Sequence, residues 1–209
     1  MASPALPFAL ILAGGLGRRM GAPTLGAPAK PLVALGGRPL IAHVIDRLRP
    51  QVSDIWINAN DDRDAYAAFD CPIVPDTIPG CPGPLAGVLA GLERLAEVAP
   101  GASLLTVPAD TPFLPANLAR RLVSRQLDTG KVVCARSGGR RHPVVALWPQ
   151  YARTALRQNL AEGHLKVGLL LEALDAVTES WDEEPEDPFF NVNTPEDLAI
   201  AEFRRAARQ

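Results

Sequence analysis

Behind the first apolar run of the chain stand glycines, arginines and a lysine. Phe8–Leu12 leads into Ala13-Gly14-Gly15-Leu16-Gly17-Arg18-Arg19-Met20-Gly21, and Lys30 lies further along the same loop. Glycines let backbone N–H groups approach phosphate oxygens closely. Arg18 and Arg19 can neutralise those oxygens, and Lys30 supplies another point charge. The same residues also spell an ordinary glycine-rich turn with solvated arginines. Two familiar phosphate loops fail on spelling. In G-x-G-x-x-G counted from Gly15, the last position is Met20, and the first acid beyond the loop is Asp46, too far on for the fingerprint's ribose contact. The P-loop fails because no glycine here precedes Lys-Ser or Lys-Thr.

Further along, Pro108-Ala109-Asp110-Thr111-Pro112-Phe113 directly follows the apolar run Ser103–Val107. A carboxylate at the carboxyl end of a strand suits Mg²⁺ held against nucleotide phosphates. An Asx-type turn before Pro112 is the plain alternative. Val74-Pro75-Asp76 and Pro82-Gly83-Pro84-Leu85-Ala86-Gly87 lead into a helix whose N-terminus can face an anion or a base edge. His142-Pro143 lies on a strand, where a lone histidine is commonly a structural hydrogen-bonder. In Asn191-Val192-Asn193-Thr194-Pro195-Glu196-Asp197-Leu198, two asparagines at alternate positions share a side if the segment is extended. Thr194 alone accounts for a helix cap there.

These residues need elements to position them. Short apolar runs read as strands over Phe8–Leu12, Asp54–Ala59, Pro72–Val74, Ser103–Val107, Lys131–Ala135, Pro143–Leu147 and Ala176–Glu179. Apolar residues at helical spacing, with proline or threonine at the starts, mark helices over Pro39–Leu48, Asp62–Phe69, Pro84–Val98, Pro115–Leu127, Gln150–Leu160, Lys166–Leu174 and Thr194–Arg208. A Gly-Gly-Arg-Arg turn separates the fifth and sixth strands, and acidic Asp182–Pro188 reads as a solvated loop. Strand and helix alternate, which predicts an α/β protein: a three-layer α/β/α sandwich with a mainly parallel, Rossmann-like sheet. Ligands then belong at the carboxyl ends of the strands, where strand order reverses.

Composition bounds the partners. The 209 residues suit a single domain, and 47% hydrophobic residues suffice for a core. A net charge of −2 and 5% aromatics argue against a nucleic-acid partner. Cys71, Cys81 and Cys134 are too few and scattered for a disulfide framework or a C-x-x-C metal site, and suit the reducing cytoplasm. His43, His142 and His164 lack the spacing of a zinc helix. No basic residue precedes Phe8–Ala13, unlike a signal peptide, and no apolar run reaches bilayer length, so no membrane partner is expected.

Taken in order, Ala13-Gly14-Gly15…Arg19-Met20-Gly21…Lys30, Gly83-Pro84-Leu85-Ala86-Gly87, Pro108-x-Asp110-x-Pro112, His142-Pro143 and Asn191-x-Asn193-Thr194-Pro195-Glu196-Asp197-Leu198 resemble the molybdenum cofactor guanylyltransferase family (MobA) over nearly the whole chain. The first and third segments are shared with many nucleotidyltransferases; the others narrow the likeness. The resemblance implies transfer of GMP from GTP to molybdenum-bound molybdopterin, giving the guanine dinucleotide cofactor and pyrophosphate. It implies a nucleotide-binding half over about residues 1–110 and a pterin half over about 111–209. Leu12, Ala13, Gly14 and Gly15 would line GTP, Lys30 and Arg19 would touch its phosphates, and Asn58 and Asp76 would hold the nucleoside. Asp110 would bind both GTP and Mg²⁺. Asn191 and Asn193, with His142 and Lys166, would face the pterin.

The resemblance also implies transient contact with molybdoenzyme apoproteins or their chaperones. One departure is visible: Gly21–Lys30 is longer than the family's usual spacing, and Ala29 stands where an acid is common. The residues offer no nucleophile–base pair for a covalent intermediate, so transfer is expected to be direct. Related chemistry with CTP or a sugar phosphate, and a noncatalytic cofactor carrier, are the other readings the sequence allows.

Overall fold

The first apolar run forms strand β1, Phe8–Leu12, and its alternation shows how the sheet divides the molecule. Ala9 and Ile11 point into one apolar layer, and Leu10 points into the other. The computed structural model describes residues 5–14, 29–61, 63–78, 80, 83–182 and 186–207. After β1, a 3₁₀ turn at Lys30–Leu32 precedes a small hairpin, β2 (Ala34–Leu35) and β3 (Arg38–Pro39). Helix α1 (Leu40–Leu48) and strand β4 (Ile55–Asn58) follow. Then come a 3₁₀ segment at Arg63–Phe69, helix α2 (Pro84–Val98), strand β5 (Ser103–Pro108) and helix α3 (Leu118–Thr129). The chain continues through β6 (Val133–Ser137), β7 (Arg140–Pro149), α4 (Ala152–Ala161), α5 (Val167–Ala173), β8 (Val177–Trp181) and α6 (Pro195–Ala206).

Six strands form the main sheet in the order β4-β1-β5-β7-β6-β8. All neighbours are parallel except those of β7, which runs antiparallel to both β5 and β6. Helices α1 and α3 cover one face, with Ile41, Val44, Leu118 and Leu122 packed over Ile11, Ile57 and Val107. Helices α2, α4 and α5 cover the other, with Leu85, Leu89, Leu156 and Leu170 over Leu10 and Leu104. This is the expected three-layer sandwich with its mainly parallel sheet. A third apolar cluster joins Leu35 and Leu40 to Phe113, Val192 and Ala201 of α6. No described helix is long and apolar enough to cross a membrane.

The differences from the sequence reading are local. Pro72–Val74 makes only one parallel bridge, Ile57 to Ile73, because Pro72 and Pro75 bring no N–H to extend a ladder. Helix α3 opens at Leu118 rather than Pro115: the Pro115 carbonyl closes a turn with the Leu118 N–H (3.1 Å) and accepts from Gln51 Nε2 (3.0 Å). The turn between β6 and β7 is Gly138-Gly139 alone, both at positive φ (50° and 75°), as a tight two-residue hairpin requires. Arg140 and Arg141 therefore belong to β7. At the start of α6, Thr194 Oγ1 accepts from the Asp197 N–H (3.1 Å), while Asp197 Oδ2 accepts from the Thr194 N–H (2.9 Å). That reciprocal cap sets where the helix begins.

Candidate active site

The carboxyl ends of β4, β1 and β5 lie side by side, and strand order reverses around β1. The chain passes from β1 to β4 on one side, then crosses back to β5 on the other. Two backbone hydrogen bonds continue the ladders past the strand ends: Ala13 N–H to the Asn58 carbonyl (3.0 Å), and Ala109 N–H to the Leu12 carbonyl (3.2 Å). Leu12, Ala13 and Gly14 are thereby held between Asn58 and the approach to Asp110. Gly15, Arg18 and Arg19 lie outside the described residues.

On the β4 side, Asn58 is buried and its amide donates to the Val74 carbonyl (2.9 Å) and to Asp76 Oδ1 (2.8 Å). Asp76 Oδ2 accepts from Asn60 Nδ2 (2.7 Å), and the Asp76 N–H returns a bond to Asn60 Oδ1 (2.9 Å). Helix α2 approaches this group closely through Gly87: a Cβ there would sit 2.2 Å from Asn58 Oδ1 and 2.8 Å from Leu12 Cδ2. Only glycine fits without displacing the asparagine. Asn58 and Asp76 are thus brought together as expected. Asn60 was not singled out by the sequence reading. Its signal is the repeat Asn-x-Asn leaving a strand, which puts both amides on one side.

On the β5 side, Asp110 is tied at both oxygens. Lys30 Nζ donates to Oδ2, and Asn191 Nδ2 donates to Oδ1 at 2.7 Å. Lys30 also donates to Asn193 Oδ1 (2.7 Å), and Asn191 to Thr111 Oγ1 (3.0 Å). The Asp110 carbonyl accepts from the Val192 N–H at 2.9 Å. The Lys30 and Asp110 side chains are only 16 and 17% exposed, so this ion pair is shielded from bulk solvent. Removing one partner of such a pair is expected to cost more than breaking a surface ion pair. Lys30 reaches the acid despite the lengthened Gly21–Lys30 segment. The two asparagines do point one way, onto the Asp110–Lys30 pair, so the N-x-N segment does more than lead into the cap at Thr194.

His142 and Lys166 stand apart from this group. His142, on β7, is buried; its Nε2 lies 2.7 Å from Ser137 Oγ, and its ring packs at 4.7 Å against Phe189. Burial pushes its pKa below the ordinary histidine value, against the pull of the nearby Asp187 carboxylate. Lys166 is exposed at the start of α5. Its neighbour Leu165 places its carbonyl 4.0 Å from where a Cβ on Gly83 would stand, beside the start of α2.

Within the Asp182–Pro188 stretch read as a solvated loop, Asp187 behaves otherwise. Its side chain is only 15% exposed and accepts from Ser137 Oγ and from the Phe189 N–H. Acidic composition hid this residue, because nothing in the local sequence distinguishes it from the other acids of the stretch. The wholly buried Phe189 ring also meets Trp181 edge-on at 5.3 Å. That burial stabilises the fold by about 1.5–3 kcal/mol.

Among the described residues no three His, Cys, Asp or Glu side chains gather as a metal cage. A hard cation here would have Asp110 as its protein carboxylate and would need phosphate or water oxygens for the rest. The arrangement therefore suits a metal that arrives with a phosphorylated ligand. Around the three parallel strand ends, one flank carries two amides on the Asp76 carboxylate and the other an acid–lysine pair.

Residues 9–177 match the model of the MobA-like NTP transferase domain. The chain is 46% identical over 202 residues to the molybdenum cofactor guanylyltransferase of Rhodopseudomonas palustris strain BisB5, covering 95% of this chain and 93% of that protein. It is 46% identical over 207 residues to the protein of the same name from Rhizobium meliloti strain 1021, covering 94% and 90%. Among solved structures, it resembles molybdopterin-guanine dinucleotide biosynthesis protein A from Archaeoglobus fulgidus, with a TM-score of 0.77, 25% identity, and coverage of 96% of this chain and 99% of that one. CMP:2-keto-3-deoxy-manno-octonic acid synthetase shares the fold at a TM-score of 0.69 and 16% identity, covering 99% of this chain and 100% of that one.

Proposed function

The chain belongs to the MobA-like NTP transferase family, and on that premise we propose that it transfers GMP from GTP to molybdenum-bound molybdopterin. The products are the guanine dinucleotide form of the cofactor and pyrophosphate. The observation that carries this reading is the Lys30–Asp110 pair, with Asn191 and Asn193 on it, at the carboxyl end of β5 beside Leu12–Gly14.

The terminal phosphate oxygen of the pterin attacks the α-phosphorus of GTP. A P–O bond forms there as the bond to the β-phosphate oxygen breaks, and pyrophosphate leaves with the electron pair. The nucleophile is ionised near neutral pH, so no general base is needed. Positioning and charge neutralisation then supply the rate. Leu12, Ala13 and Gly14 line the nucleotide, and Asn58 and Asp76 hold the nucleoside. Lys30 turns from Asp110 to the phosphates and offsets charge on the leaving pyrophosphate. Gly15 and Arg19 are assigned to the same phosphates.

Asp110 would hold a divalent cation, taken as Mg²⁺. An ammonium group already sits on Asp110 Oδ2, so the carboxylate accommodates a cation at that oxygen. When bound, the metal would offset negative charge on the phosphate oxygens. Asn191, Asn193, His142 and Lys166 are assigned to the pterin substrate. Residues 1–110 thus serve mainly the nucleotide and 111–209 mainly the pterin, within one domain. We place the reaction in the cytoplasm, in keeping with the free thiols of Cys71 and Cys134, with hand-over to apoproteins or their chaperones by transient contact.

The test is pyrophosphate release with molybdopterin and each of the four NTPs. Release with GTP far above the other three is expected. No release with GTP, or equal release with CTP, would overturn the reading.

A further inference from the structure

Beyond the strand ends, a buried polar chain runs beneath the segment that delivers Asn191 and Asn193. Ser137 closes β6 and is 1% exposed. Its Oγ lies 2.8 Å from Asp187 Oδ1 and 2.7 Å from His142 Nε2. A hydroxyl has one proton, and an ionised carboxylate can only accept. The Ser137 proton therefore goes to Asp187, and Ser137 accepts from the Nε2–H of His142. That puts a proton on Nε2 of His142, and burial, which pushes its pKa down, favours the neutral ring with Nδ1 unprotonated.

Asp187 is the hub of this chain. Its Oδ1 also accepts from the Phe189 N–H (2.9 Å), its Oδ2 faces Arg140 Nη2 (3.3 Å), and its carbonyl accepts from Arg204 Nη1 (3.4 Å). Arg204 in turn lies over the Phe190 ring at 4.3 Å. Phe189 is clamped between His142 and Trp181. At the far end of the same segment, Asp197 Oδ2 accepts from the N–H groups of Asn193 and Thr194, both at 2.9 Å. Residues 187–194 thus form a strap pinned at both ends. Asn191 and Asn193 project from its middle onto Asp110 and Lys30.

We propose that Asp187 and Ser137 are positioning residues: together they set the strap against β6 and β7 and so place Asn191 and Asn193 on the Asp110–Lys30 pair, while orienting His142 as its Nε2–H tautomer. This rests on the reaction proposed above. Neither residue touches substrate in that scheme; each acts through the asparagines and the imidazole.

Three variants and the wild type test it. Ser137→Ala lowers kcat about tenfold and raises KM for molybdopterin. It raises KM for GTP less than KM for molybdopterin, because Asn58 and Asp76 hold the nucleoside from another part of the sheet. Asp187→Ala does the same. Asp187→Asn keeps an oxygen for Ser137 and Phe189 and recovers most of kcat. Should Ser137→Ala not fold, Ser137→Cys, which keeps the volume and a weak donor, reads the same split. The ring nitrogens of His142, followed by ¹⁵N NMR, show the Nε2–H tautomer in wild type and a mixture in Ser137→Ala.

A merely structural role would lower Tm and scale activity with the folded fraction, moving neither KM. Three results would overturn the proposal: wild-type kcat and KM in folded Ser137→Ala, Asp187→Asn as impaired as Asp187→Ala, or an Nδ1–H tautomer in wild type. Wild-type protein that releases no pyrophosphate from GTP sinks the functional reading instead, and the tautomer measurement still decides the geometry.

Discussion

Asp76 and Asp110 are the same residue type on opposite flanks of β1, yet they keep different company. The hydrogen-bond partners of the Asp76 carboxylate are amides, Asn58 and Asn60, both entering from the end of β4. Those of Asp110 are an ammonium and an amide, Lys30 and Asn191, arriving from 80 and 81 residues away. Neutral donors orient a carboxylate without cancelling its charge, which suits recognition of an uncharged nucleoside through directed hydrogen bonds. A lysine cancels the charge and can be exchanged for another cation. In the proposed reaction the first flank would recognise the nucleoside and the second would offset charge on the phosphates. The division follows from the partners and not from the carboxylates themselves.

The contrast is testable from its strongest side first. Asp110→Ala should lower the rate of pyrophosphate release per folded molecule at least about 10²-fold, as expected for loss of an electrostatic stabiliser in the transition state, with a lower Tm because Lys30 loses its shielded partner. A rate within about twofold of wild type would show that chemistry happens elsewhere. Lys30→Ala should cost about 10- to 100-fold in kcat and should tighten Mn²⁺ binding to the nucleotide-free protein, since Asp110 Oδ2 loses its resident cation. Electron paramagnetic resonance titration with Mn²⁺ checks the second part; weaker binding would refute the exchange.

On the Asp76 flank, Asp76→Ala should raise KM for GTP about tenfold, the scale of one lost hydrogen-bonded group, and leave kcat within about twofold. A fall in kcat without a change in KM would erase the distinction between the flanks.

The smallest effect concerns pH. Burial holds the folded-state pKa of His142 below its unfolded value of 6.5. Between those two values the unfolded chain binds a proton that the folded protein resists. Stability is therefore full above about pH 6.5 and declines as pH falls toward the folded-state pKa. Thermal melts from pH 8 to 5 should show this decline, and His142→Gln should flatten it. An equal slope in the variant would assign the titration to another group.

Much of this molecule was legible before folding was considered. Pro84–Val98 was readable as a helix because leucines and valines recur with its period and Pro84 suits the first turn. Asp110 was placed at a strand end by the apolar run before it. The α3 start was misread because the turn at Pro115 depends partly on Gln51, a partner 64 residues away. Asp187 was misread for the same kind of reason: its acidic neighbourhood predicts solvent, and partners distant in sequence, Ser137 and Arg140, hold it under cover. Asn60 fell between these cases. Its spacing from Asn58 was visible, but its use depends on Asp76 crossing back toward β4.

The linear chain by itself determined which residues bear charge or amide groups and which strands and helices carry them. Period and turn chemistry act over a few residues, and those distances are written directly in the order of side chains. Folding alone decided that Lys30 meets Asp110, that both asparagines of the last motif reach that pair, and that Asp187 is drawn under cover. Those contacts are set by where distant layers pack against one sheet, and packing is a property of the whole core rather than of any segment.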